Sequence, residues 1–205
     1  ANRFMPPQKP APWTEVYPAI WWGNSAPQIM DNRYANKYGS FRDHWNYDDV
    51  SEDCLRINVF TPALNDGKKR PVMFWIHGGG FTNGNGIEHD GYNGENLSRL
   101  GDVVFCSVNH RLGPLGFSDL AACGEKYAAS ANVGMLDLVA ALEWVRDNIA
   151  SFGGDPGNVT IMGQAGGGAK VGTLTARPAA KGLVHKAVVL SGASLKSGEK
   201  EYSSK

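Results

Sequence analysis

Four apolar runs in this chain each end at a glycine-rich or polar bend, and that punctuation limits the available folds more than any other feature. Val72–His77 runs into Gly78-Gly79-Gly80, Val159–Met162 into Gly163, and Ala187–Ser191 into Gly192, while Val103–Asn109 leads to His110-Arg111. A short continuous apolar run bounded by turn residues reads as a strand buried on both faces. Arg56–Thr61 alternates Ile57 and Val59 with polar neighbours, and Pro62 with Asn65-Asp66-Gly67 then closes it with a turn. Residues 132–148 place Met135, Leu138, Val139, Leu142 and Val145 at helical spacing, with Ile149 following. Strand, glycine loop, helix and strand again is the order of an α/β protein with a mostly parallel sheet flanked by helices. Right-handed crossovers gather the loops after the strands at one sheet edge, where such proteins bind ligands.

Composition excludes several alternatives. The 205 residues hold 42% hydrophobic and 20% charged side chains, enough for one domain with a real core. Lys+Arg and Asp+Glu both count 20, so no basic field exists to hold a nucleic acid. The longest apolar runs fall far short of the ~20 residues of a membrane helix, and no lysine-led apolar signal opens the chain. It reads as a soluble, processed piece. Cys54, Cys106 and Cys123 form no C-x-x-C pair and suit neither a disulfide framework nor a zinc site; two or three small buried or half-buried thiols are expected. Such sparse cysteine fits a cytoplasm, though a periplasmic or secreted location stays open and is slightly favoured. Residues 1–205 form one domain in this reading. Residues 1–50 are an irregular wrap pinned by Trp13, Trp21, Trp22 and Trp45, 51–195 the sheet and helix core, and 196–205 a polar loop.

Two glycine loops have a use beyond turning the chain. In His77-Gly78-Gly79-Gly80-Phe81 the absence of Cβ atoms lets backbone N–H groups converge and stabilise a developing oxyanion. A plain strand-to-loop turn is the alternative. Gly163-Gln164-Ala165-Gly166-Gly167 follows a strand and precedes an Ala/Gly/Thr-rich helix, which is the setting of a G-x-S-x-G nucleophile elbow. Its central residue is alanine, which has no Oγ to attack an acyl carbon. Gly163 and Gly168 also have phosphate-loop spacing, but Ala169-Lys170 displaces the lysine by one position and the motif fails.

The segments Asn2–Pro7 (NRFMPP), Ser51–Pro62 (SEDCLRINVFTP), Pro71–Phe81 (PVMFWIHGGGF), Val108–Phe117 (VNHRLGPLGF) and Asn132–Gly168 occur in the order of the carboxylesterase type-B/cholinesterase family, which the chain resembles over nearly its whole length. The resemblance implies the N-terminal half of an α/β-hydrolase fold and serine-dependent hydrolysis of a small carboxylic ester. It places the oxyanion hole at the N–H groups of Gly79, Gly80 and Gly166, and the nucleophile position at Ala165. It sets Gln164 where the family often has Glu, and Phe81 beside the ester; no metal or organic cofactor is implied. Structural ion pairs are implied for Arg3 with Glu52 and for Arg111 with Asp155, while His77 is implied as a loop orienter. The aromatic residues Trp21, Trp22, Tyr34, Tyr38, Trp45 and Tyr47 either line the mouth of the site or wrap the surface.

Hydrolases of this fold carry nucleophile, acid and histidine in that chain order. No Asp or Glu lies between Ala165 and His185, and no histidine follows His185. His44, His77, His89 and His110 precede the elbow and read as structural or surface residues. The acid and base are therefore expected from a C-terminal remainder of the same hydrolase. Two readings follow: an esterase whose serine was replaced by alanine, or a natural non-catalytic binding module of the same class.

Overall fold

The computed structural model describes residues 2–29 and 49–193. The strands are β1 (Arg56–Phe60), β2 (Arg70–Ile76), β3 (Val104–Asn109), β4 (Gly154–Gln164) and β5 (Lys186–Leu190). They form one sheet in the order β1-β3-β2-β4-β5. Only β1 with β3 is antiparallel; the other three pairings are parallel. Parallel neighbours need long crossovers, and the helices supply them: α1 (Glu95–Gly101), the short α2 (Gly113–Phe117), α3 (Val133–Asn148) and α4 (Gly166–Ala176). The apolar runs thus become strands as the punctuation predicts.

The main core lies on the sheet face that α3 and α4 cover. From α3, Met135, Leu138, Val139, Leu142 and Val145 pack with Ile149 against Val72, Phe74, Ile76, Cys106, Val108 and Ile161 of the strands; Val171 and Leu174 of α4 join the same cluster. β3 is buried at all six positions. One 18-residue window of the helical run Glu125–Phe152 is apolar enough by length and composition to cross a membrane, yet half of that window is buried inside the fold. That burial is what a core helix needs.

Three expectations change. The run Val159–Met162 belongs to a strand of 11 residues. Opposite β2, Arg70 faces Gly154 but Val72 faces Val159. The surplus, Asp155-Pro156-Gly157-Asn158, bulges out with the Gly157 N–H donating to Asp155 Oδ1 at 2.8 Å, so a turn-like sequence conceals the start of a strand.

The partner of Arg111 is Asp137 on α3, not Asp155. Asp137 accepts from the Arg111 backbone N–H at 3.0 Å, from Nε at 2.9 Å and from Nη2 at 2.6 Å. Arg111 follows the end of β3, whereas Asp155 lies at the start of β4, and parallel strands put those two points at opposite sheet edges. Arg3 does pair with Glu52, Nε lying 2.9 Å from Oε2.

Trp13 and Trp21 do not pin the N-terminal segment, since they are 65% and 73% exposed. Polar contacts hold it instead. Arg111 Nη1 donates to Met5 O at 2.8 Å, Asn109 Nδ2 to Asn24 O at 2.9 Å and Gln28 Nε2 to Gly84 O at 3.0 Å. Trp22 does meet a ring, with its centroid 5.8 Å from that of Phe60. Tyr34, Tyr38, His44, Trp45, Tyr47 and the tail Lys196–Lys205 lie outside the described residues. Cys54 and Cys106 are buried free thiols, each pushed up to about 12 by burial, and Cys123 is free and exposed, in line with the expected two or three buried thiols.

Candidate active site

β2 and β4 are parallel neighbours with Ile76 opposite Gly163, so the glycine loops that follow them leave the same sheet edge side by side. The first loop needs glycine for its backbone: φ is +90° at Gly79 and +64° at Gly80. The second needs it for space. A Cβ on Gly163 would lie 2.6 Å from the Gly167 carbonyl carbon, one on Gly167 would lie 2.1 Å from Ile76 O, and one on Gly166 would lie 2.2 Å from Gly80 O. The elbow is pressed onto the end of β2, and the two loops touch at Gly166 and Gly80. Ala165 stands between them with φ 51° and ψ −117°, a conformation that persists only where the surroundings enforce it. Its N–H donates to Leu190 O at 2.9 Å, and its carbonyl accepts from Ala169 N–H at 3.0 Å in the first turn of α4. The residue is half-buried and borders the surface.

Peptide planarity fixes where the neighbouring amides point, because a trans peptide turns its N–H opposite to its carbonyl. Gly78 O accepts from His77 Nδ1 at 2.8 Å, which turns the Gly79 N–H away from that ring. Gly79 O accepts from Asn83 N–H at 3.2 Å and from Thr82 N–H at 3.4 Å, which sets the Gly80 N–H. The Ala165 carbonyl is held by Ala169, which aims the Gly166 N–H out of the N-terminus of α4. Among the described residues none of these three N–H groups donates to another backbone or side-chain acceptor. Free amides at a helix start can receive negative charge. Gln164 is exposed, its Oε1 3.0 Å from where a Gly78 Cβ would be. Phe81 is 37% exposed and meets Phe117 edge-on, with centroids 5.0 Å apart.

The sequence profile of the carboxylesterase family matches residues 1–203. The chain belongs to that family. It is 45% identical over 192 residues to the para-nitrobenzyl esterase of Bacillus subtilis, covering 94% of this chain and 37% of that protein. It is 42% identical over 181 residues to a phenmedipham hydrolase of Pseudarthrobacter oxydans, covering 88% of this chain and 34% of that one. Among solved structures, an esterase from the anaerobe Clostridium hathewayi, described as able to hydrolyse aliphatic aromatic polyesters, superposes with a TM-score of 0.85. That pair shares 51% identity, with 91% of this chain and 37% of the other covered. The carboxylesterase chain thus has an α/β-hydrolase fold, and it spans little more than a third of the length of these relatives.

The described histidines of this carboxylesterase chain, His77, His89, His110 and His185, take structural posts. His77 and His110 are wholly buried under the loops, their rings stacked 5.0 Å apart and 9° from parallel. Each Nδ1 faces a carbonyl oxygen, of Gly78 and Arg111 respectively, and so carries the proton. Burial first, then the charge of Lys170, holds His110 well below the usual histidine range. His89 caps a short 3-10 turn by accepting from Gly91 N–H at 2.9 Å. His185 Nδ1 accepts from Val159 N–H at 3.1 Å. That puts it just before β5, at the edge opposite the elbow, about 16 Å away by a strand rise of ~3.3 Å per residue. Among the described residues no three His, Cys, Asp or Glu side chains group as metal ligands.

Sequence reasoning passed over Lys170. It is completely buried, donates from Nζ to Gly80 O at 2.7 Å and stands 4.7 Å from the centre of the Phe81 ring. Burial lowers it to about 7, against an opposing pull from the charge of Glu88. The signal was legible: Gly167, Lys170, Val171 and Leu174 form the buried stripe of α4, and a lysine within such a stripe needs a partner.

Proposed function

We propose that the full-length protein is a carboxylic ester hydrolase working through an acyl-enzyme, and that this chain carries its acceptor half. The strained, half-buried position 165 between close-packed glycines supports this reading, because a side chain there projects from an enforced turn beside three amides with no internal acceptor. With serine at 165, Oγ attacks the ester carbonyl carbon while a histidine base takes its proton. The N–H groups of Gly79, Gly80 and Gly166 receive the oxyanion. The carbon–oxygen bond to the alcohol breaks, the histidine returns the proton to the leaving alkoxide, and water then releases the acid by the same steps. Phe81 and Gln164 border the bound ester. The histidine and its acid come from the remainder of the hydrolase, since His185 faces the wrong edge. The substrate is a small carboxylic ester.

Ala165 stops this cycle at its first step. The same alanine favours a second reading, a non-catalytic module that binds without turnover. Reverting Ala165→Ser in the full-length protein decides between them. Hydrolysis of para-nitrophenyl acetate is expected to rise on the order of 10⁶-fold over the alanine form, with a burst of para-nitrophenol. A folded revertant inert toward several acyl esters overturns the hydrolase reading in favour of the module.

A further inference from the structure

Lys170 occupies the core side of its helix with its charge wholly out of water. α4 turns Gly167, Lys170, Val171 and Leu174 inward, the i, i+3, i+4, i+7 pattern of a buried face. A lysine stem is apolar and packs well there, but its three donors have to be met. Its environment is built for one purpose. Nζ reaches the Gly80 carbonyl oxygen at 2.7 Å, and the Phe81 ring covers it at 4.7 Å, a separation at which a cation is drawn to a ring face. The buried Glu88 offsets part of its charge, while burial and the nearby Lys170 hold His110, stacked on His77, well below the usual histidine range.

Three successive carbonyls of the glycine loop are each held. Gly78 O is taken by His77, Gly79 O by the amides of Thr82 and Asn83, and Gly80 O by Lys170. The first two clamps come from within the loop region itself. Lys170 comes from the helix that begins at position 166, and among the described residues it makes the single hydrogen bond from α4 to the three glycines. The two loops that supply the amides otherwise meet by packing, Gly166 against Gly80 and Gly78 against Gln164 and Ala165.

We infer that Lys170 is a positioning residue: its Nζ, bonded to the Gly80 carbonyl and covered by Phe81, is the strut that holds the glycine loop in register with the elbow. The structural part of this statement rests on geometry alone, and its effect on rate rests on the acyl-transfer reading. Losing the strut frees the Gly80–Phe81 peptide to rotate, which loosens the seat of Gly80 against Gly166 and with it the placement of the loop relative to position 165. Substrate affinity through the rest of the pocket is untouched, so the loss falls on kcat.

Full-length protein tests both parts with Lys170→Met, which keeps length without a donor, and Lys170→Gln, which keeps a neutral donor. Hydrogen–deuterium exchange over Gly78–Thr82 is read with Ala165 in place. Lys170→Met is expected to speed it at least tenfold while α3 is unchanged, and Lys170→Gln by less than threefold. In the Ala165→Ser background, Lys170→Met is expected to lower kcat for para-nitrophenyl acetate ~10- to 100-fold with KM within threefold, and Lys170→Gln to recover most of it. Unchanged exchange in Lys170→Met overturns the strut, as does an equal loss of Tm and kcat in both variants, which marks a merely structural lysine. If the Ala165→Ser protein with Lys170 is itself inert, the hydrolase reading fails and exchange alone decides the strut. Should Lys170→Met not fold, Lys170→Gln decides: near-parental exchange supports the strut, and a tenfold rise overturns it.

Discussion

Burial of Lys170 makes stability depend on pH. Its folded-state value is about 7, against an ordinary 10.5, because burial disfavours the ammonium. Between those values the unfolded chain holds a proton that the folded chain has released, so stability rises with pH across that window. Burial of His110 acts in the same sense below about pH 6.5. Cys54 and Cys106, raised to about 12, oppose it above about pH 9, where only the unfolded thiols ionise. Among these buried groups, the interval from pH 7 to 8.5 therefore reports Lys170, with Glu88 the acidic group acting on it. Urea midpoints are expected to climb there, by up to about 1.4 kcal/mol per pH unit, and Lys170→Met is expected to flatten the climb. A slope that survives the substitution removes Lys170 as its source. The lysine was readable as a charge in an apolar stripe, but its acceptor on another loop was not, because contact between Gly80 and α4 depends on tertiary packing. Asp137 was hidden for the same reason: nothing between residues 111 and 137 in sequence marks them as partners.

At the level of elements, the elbow is a joint between β4 and α4 that works only if no side chain intrudes. A methyl on Gly167 would lie 2.1 Å from Ile76 O and 2.7 Å from His77 O, both backbone atoms of the strand end it rests on. Neither can yield as a flexible side chain would. Gly167→Ala is expected to cost on the order of 1–3 kcal/mol, read as a lower urea midpoint with an unchanged m-value, and to lower esterase rate in an Ala165→Ser background. A neutral effect on both would show that the joint has slack. The sequence announced this element well, since glycine spacing after an apolar run is a local signal. It announced the length of β4 poorly, since Asp155-Pro156-Gly157-Asn158 is written as a turn and only the pairing of Gly154 with Arg70 makes it part of a strand. Aromatic content misled in the N-terminal segment: rings suggest burial, yet Trp13 and Trp21 face solvent while amides and guanidinium groups do the anchoring.

Across the molecule, burial is lopsided. β3 is buried throughout, whereas β5 is exposed at four of its five positions, with Val188 and Leu190 at 40% and 42%. A parallel sheet is ordinarily covered on both faces, and an uncovered apolar edge strand invites pairing. The 205-residue chain expressed alone is expected to associate with rising concentration in light scattering, and Val188→Lys to reduce this. A monodisperse monomer at high concentration would overturn the expectation. The same strand end also holds the elbow, through the bond from Ala165 N–H to Leu190 O and the close seat of Gly192 against Ala165 O. During synthesis the cradle therefore stays loose after its own residues leave the ribosome, and it tightens only when residues 190–192, some 25 positions later, emerge to close it.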